Sequence, residues 1–177
     1  MNPEIIAILN ARSPDMRMLP RGHGSLNQID IAHAIGRVKG YGPRLIGHVL
    51  CAEHGQFAAD LAGCLYRHLL SHARLFRWKN TKPLYSLAKL SVALYCYPKR
   101  CRKCKGIGKR HIASKVYICA RCNGSTWDSE KPAILARLLG VSKPAFAETW
   151  EPRLKDSLAI LGGMERHLLI DLSKILS

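Results

Sequence analysis

The sequence predicts a mainly α protein carrying one small metal-bound β element. Apolar residues recur at helical spacing through most of its 177 residues. Two Cys-x-x-Cys pairs, Cys101–Cys104 and Cys119–Cys122, lie 14 residues apart, and β-formers cluster between them. The length allows one domain or one and a half, and a 47% apolar fraction argues against disorder for most of the chain.

In order along the chain, Pro14, Pro20, Gly22 and Gly24 mark residues 1–28 as a mobile arm without periodicity. Residues 29–177 read as the folded domain. Helical patterning starts at Ile29-Asp30-Ile31, breaks at Gly40-Tyr41-Gly42-Pro43 and resumes at Leu45. A longer helix then places Phe57, Leu61, Cys64, Leu65, His68, Leu69 and His72 on one stripe. The next has Leu84, Leu87, Leu90 and Leu94 as its buried face, with Pro83 at its start and Tyr97-Pro98 at its end. The cysteine module runs from about 99 to 127. A short helix opens near Ser129, has Pro132 in its first turn, buries Ile134, Leu135, Leu138 and Leu139, and stops at Gly140. Helices around 145–150 and 153–161, a Gly162-Gly163 break and a last helix to Leu176 complete the reading.

Four cysteines at this spacing suit one tetrahedral Zn²⁺, since each C-x-x-C turn directs two thiolates at the same ion. Gly106, Gly108 and Gly124 follow the pairs, where a positive φ lets the backbone close over the sulfurs. Ile112, Val116, Tyr117 and Ile118 are enough for a short hairpin joining the turns. Redox pairs or plain buried thiols are the alternatives, and a thioredoxin-like site would need a βαβ context that is missing. One structural zinc held by Cys101, Cys104, Cys119 and Cys122 is therefore expected.

Charge is distributed very unevenly. From Leu61 to Trp127 there are 15 Lys or Arg and no acid, while the remaining 13 cations face all 12 acids of the chain. Nine of those cations fall in the module: Lys99, Arg100, Arg102, Lys103, Lys105, Lys109, Arg110, Lys115 and Arg121. A charge run is usually a solvated surface, but 67 residues without an acid favour a phosphate-facing one. Lys131 and Arg137, on the helix beyond the module, are expected to reach a duplex as well.

Weaker constellations compete with ordinary packing. Cys64, His68 and His72 share a face with leucines and read as core; Cys51-x-x-His54 lacks a second pair; Cys96 is a spare thiol. Asp128 and Glu130 read as caps of the following helix. The cadence Ile134 to Phe146, helix–Gly140–Ser142–helix, fits a helix-turn-helix but is common in bundles. No catalytic apparatus is visible, so an enzyme is not expected. The start, Met1-Asn2-Pro3-Glu4, lacks a basic signal region, and no apolar run approaches about 20 residues, so a soluble protein in a reducing cytoplasm is expected.

With these residues in view, the chain resembles the late-gene antitermination protein Q family of lambda-like bacteriophages. The resemblance rests on Asp30–Gly36, Val49–His54, Cys101–Gly108, Cys119–Gly124 and Thr149–Pro152 in that order among helices. DnaJ-type chaperones share a C-x-x-C-x-G-x-G repeat but carry four such repeats, and the second pair here lacks the last glycine. Relative to lambda-type members, the linker before the knuckle and the hairpin within it are shorter.

The resemblance implies a zinc module inserted between the two helices of a helix-turn-helix, about 83–95 and 130–139. It implies binding to a double-stranded DNA element in the late promoter. It also implies loading onto paused bacterial RNA polymerase, with contact to the primary sigma factor, in the host cytoplasm. The modified polymerase would then pass pauses and terminators. The main alternative is a sequence-neutral RNA-binding zinc protein, for which Tyr117 and Trp127 are the stacking aromatics at hand.

Overall fold

The computed structural model describes residues 28–52, 55–112, 115–124, 126–128 and 130–175. The arm expected over 1–28, apart from its last residue, the Cys51-x-x-His54 spacing and the tip of the hairpin lie outside the described positions or side chains.

Helices dominate. They are α1 (Gln28–Arg37), α2 (Tyr41–Ala52), α3 (Gly55–Leu75), α4 (Leu84–Cys96), α5 (Pro132–Leu139), α6 (Lys143–Ala145) and α7 (Glu151–Ile175). Strands β1 (Lys109–Ile112) and β2 (Lys115–Ile118) form an antiparallel hairpin between α4 and α5. Among the described residues, no helix is long and apolar enough to cross a membrane.

The punctuation residues act as their chemistry dictates. Gly40, at φ +91°, turns the chain between α1 and α2, and the neighbouring Lys39 N–H donates to Asp171 Oδ2 of α7 at 3.0 Å. Pro132 occupies the first turn of α5, where its missing N–H costs nothing, and Gly140 ends the helix in the left-handed region. Ser142 Oγ then accepts from Ala145 N and starts α6, which runs through a π-helical turn at Phe146–Trp150 into α7. The widened turn accompanies two of the largest buried side chains, Phe146 and Trp150.

One apolar core collects α1 through α5 and α7. Helix α4 packs on α3, α5 and α7. Consequently the buried face of α4 is Leu84, Leu87, Ala88, Ser91, Val92 and Cys96, while Leu90 and Leu94 are only half-buried. Ser91 tolerates this position because its hydroxyl donates to the Leu87 carbonyl at 2.8 Å. On α3 Leu61, Leu65, Leu69 and Cys64 are buried, whereas His68 and His72 face solvent, so the predicted stripe holds only in part.

The expected break at Gly162-Gly163 does not exist: α7 passes through both glycines without interruption. Packing explains it. A Cβ on Gly162 would lie 3.5 Å from the Tyr95 hydroxyl of α4, and that hydroxyl donates to Glu165 one turn further along α7. The small residue admits the tyrosine while the neighbouring core side chains Leu161, Met164 and Leu168 hold the helix together.

Candidate metal centre and its basic module

Cys101, Cys104, Cys119 and Cys122 converge as a second buried cluster, separate from the helical core. Cys96, the spare thiol, belongs to that helical core instead. Both C-x-x-C turns use the same backbone device. Each second cysteine is followed by a non-glycine and then a glycine in the left-handed region: Lys105 and Gly106 (φ +53° and +87°), Asn123 and Gly124 (φ +47° and +84°). A left-handed lysine costs roughly 1–2 kcal/mol, a strain that ligand closure around an ion readily offsets. Gly108, at φ +75°, is more constrained still, because a Cβ there would stand 2.8 Å from the Gly124 carbonyl oxygen. Its N–H donates to Cys104 Sγ at 3.2 Å, and its carbonyl accepts from Cys119 N at 2.9 Å, joining the two turns.

The four Sγ atoms all lie within 4.8 Å of one another, with Cys101–Cys119 at 3.8 Å and Cys104–Cys122 at 3.6 Å. These separations far exceed a disulfide bond of about 2.05 Å. They match the edge of a tetrahedron with ligand bonds of about 2.3 Å, roughly 3.8 Å. The four thiols can therefore hold a metal ion, and among the described residues no other group of three or more potential ligands comes together.

Electrostatics prepares the thiols unequally. Cys119 is held down to about 6, foremost by the Cys122 backbone N–H and further by that of Arg121. Burial pushes Cys104 up, yet hydrogen bonds from Gly108, Cys122 and Gly106 outweigh it and leave its value below normal. Cys122 is pushed up to about 11 by burial and by its bonded neighbour Cys104. Backbone donors thus favour the thiolate form of Cys119, and burial disfavours that of Cys122.

Apart from the cysteines the module buries very little. Val116, Tyr117 and Ile118 are all exposed, as is Ile107. Strand pairing sets Lys109 opposite Ile118 and Arg110 opposite Tyr117, so consecutive cations point to opposite faces of the hairpin. At its base the module closes on itself: Asp128 N donates to the Lys99 carbonyl at 2.7 Å, Cys101 N to the Thr126 carbonyl at 2.9 Å, and Arg100 bridges Trp127. The chain therefore leaves α4 and returns toward α5 through two segments joined by a single antiparallel bridge, and these two helices pack on each other.

All eleven cations singled out in the sequence are exposed: Lys99, Arg100, Arg102, Lys103, Lys105, Lys109, Arg110, Lys115, Arg121, Lys131 and Arg137. Their pairing divides them. Arg121 engages Asp128 through two parallel bonds of 2.7 Å, and Lys99 engages Glu130 at 2.6 Å. The guanidinium holds the Asp128 carboxyl below its usual value, and the carboxylate raises Arg121 in turn. Asp128 and Glu130 therefore do not cap α5; the cap position is Lys131, with no side-chain bond, and the helix begins at Pro132 rather than near residue 129. Sequence reasoning misses this clasp, although the first acids after the long acid-free run are its signal. On α5, Leu138 is also 57% exposed instead of buried, beside exposed Arg137.

The other candidate constellation dissolves. Cys64, Arg67, His68 and Ser71 line a surface depression, but Cys64 is buried and His68 is exposed, and among the described residues no third ligand joins them. A scan against protein-family models finds no match for the chain, and a search of curated proteins finds none either.

Proposed function

We propose that the protein is a phage late-gene antiterminator: it binds a duplex DNA element in the late promoter and loads onto paused bacterial RNA polymerase. The observation that carries this reading is the basic four-cysteine module closed at its base between α4 and α5, two helices that pack together. That arrangement is what the resemblance to the protein Q family implies for a helix-turn-helix with an inserted zinc module.

In this reading one zinc ion is held by Cys101, Cys104, Cys119 and Cys122, and it supplies folding energy and no reaction. Such sites contribute roughly 10–16 kcal/mol of apparent binding energy, enough to order a module without an apolar core. A set of four thiolates suits zinc or iron rather than a hard oxygen-seeking cation, and the reading takes zinc. Arg102, Lys103, Lys105, Lys109, Arg110 and Lys115 of the module neutralise phosphates, while Lys131 and Arg137 on α5 approach the duplex from the second helix. DNA then holds the protein at high effective concentration beside the paused enzyme, and a second surface contacts polymerase and its primary sigma factor.

A sequence-neutral RNA-binding protein is the second reading. It is favoured by the exposed cross-strand pair Arg110–Tyr117, which could stack a base beside a cation. Selection from random duplex DNA at about physiological ionic strength separates the two. One enriched element, followed by terminator readthrough on a template carrying it, supports the antiterminator. Binding without a motif that simply weakens with salt would replace it by the RNA reading.

A further inference from the structure

The end of α3 is built in an unusual way. Phe76 N donates to the His72 carbonyl, Arg77 N to that of Arg74, and Trp78 N to that of Ala73 at 2.9 Å, the bonding of a Schellman turn. The left-handed position such a turn normally gives to glycine is occupied by Arg77, at φ +49°. The following loop is clamped from α7: Arg153 lies 4.0 Å from the Trp78 ring and 4.6 Å from the Trp150 ring, and its Nη1 donates to the Asn80 carbonyl.

This fixed corner presents apolar surface outward. Leu75 is 76% exposed, more than any other large apolar side chain described, and Phe76 is 68% exposed. Arg74, Arg77, Lys79 and Lys82 surround the pair in sequence, all exposed and none paired with a described acidic group. A rigid apolar anchor within a rim of cations is the anatomy of an interface hot spot.

We propose that Leu75 and Phe76, with Arg74, Arg77 and Lys79, form a docking surface for a protein face that is acidic around an apolar cleft. Charge complementarity selects that occupant. A second copy of this chain would bring like-charged corners together. A membrane would call for a continuous apolar helix face, whereas exposed positions of α3 include Gln56, Asp60, Arg67 and Ser71. Nucleic acid would use the ring of Phe76 but gain little from an equally extended leucine. Resting on the function proposed above, the occupant is a face of RNA polymerase holoenzyme, and the corner is the surface that makes the second contact.

The test measures binding of the full metal-loaded chain to purified polymerase holoenzyme, to the selected duplex and to anionic vesicles. The variants are Leu75→Ser with Phe76→Ser, and separately Arg74→Gln with Arg77→Gly; the glycine relaxes the left-handed position and preserves the turn. Both are expected to weaken polymerase binding roughly thirtyfold, with metal content, thermal midpoint and duplex affinity unchanged. Wild-type strength on polymerase in both variants would overturn the surface and leave the antiterminator reading standing. A wild-type chain that never binds polymerase overturns that reading and this occupant together. Loss confined to duplex or to vesicles would reassign the corner to nucleic acid or lipid and overturn the proposal.

Discussion

The phosphate binding proposed for the module has a countable signature, because ion pairing sets two of its cations apart from six others. Arg102, Lys103, Lys105, Lys109, Arg110 and Lys115 are exposed and pair with no described acid, whereas Arg121 and Lys99 are engaged by Asp128 and Glu130. Removing one cation that neutralises a phosphate lowers the slope of log K against log salt by about 0.9. Replacing Arg102 and Lys103 with Ala should reduce the slope by about 1.8. Between about 50 and 200 mM salt, a fourfold range, the variant should then lose roughly twelvefold less affinity than the wild type. The control is Arg121→Gln with Asp128→Asn, which removes equal and opposite charges and should leave the slope unchanged. Fluorescence anisotropy of a labelled duplex across that range reads both. The reasoning fails if the control flattens the slope as much as the Arg102/Lys103 variant, or if that variant retains the wild-type slope.

Other consequences follow from the same geometry. Cys104→Ser should lose the metal, unfold the module and abolish DNA binding, yet keep most far-UV helical signal because the cysteine cluster is separate from the helical core; metal analysis and circular dichroism check this. Gly163 has nothing within 4 Å of an added Cβ and lies inside continuous α7, so Gly163→Ala should stabilise by about 0.5–1 kcal/mol in denaturant titration. A destabilised variant would restore the break expected from the sequence. Arg121 holds the Asp128 carboxyl below 3.8. The folded state therefore takes up that proton less readily than the unfolded one, and the clasp's contribution is complete above that value and lost as pH falls through the lower folded value. Comparing acid unfolding of the wild type and Asp128→Asn, with the carboxyl titration followed by NMR, measures it.

Much of this molecule was legible because local chemistry and tertiary demand agree. The cysteine spacing with its trailing glycines announced the knuckles, since few backbones can wrap two thiolates onto one ion and each needs left-handed residues after the turn. Pro83, Tyr97, Pro132 and Gly140 marked helix ends for similarly local reasons. Periodicity failed where burial depends on neighbours. Leu90 and Leu94 are half-buried because α4 is surrounded unevenly by α3, α5 and α7, and His68 and His72 share a stripe with leucines without sharing their burial. Gly162-Gly163 read as a break because propensity alone disfavours glycine in a helix; Tyr95 of α4, arriving from 67 residues earlier in the chain, makes the small residue useful there.

By itself the sequence determined the helical class, the four converging cysteines and the concentration of positive charge, all properties of composition and short spacing. Only the tertiary structure decided which cations stay unpaired, that the module closes at its base between two packed helices, and that Leu75 and Phe76 stand outside the core. Those depend on which distant residues meet, and a pattern of residue types does not encode which of several equally apolar or equally charged partners will be within reach.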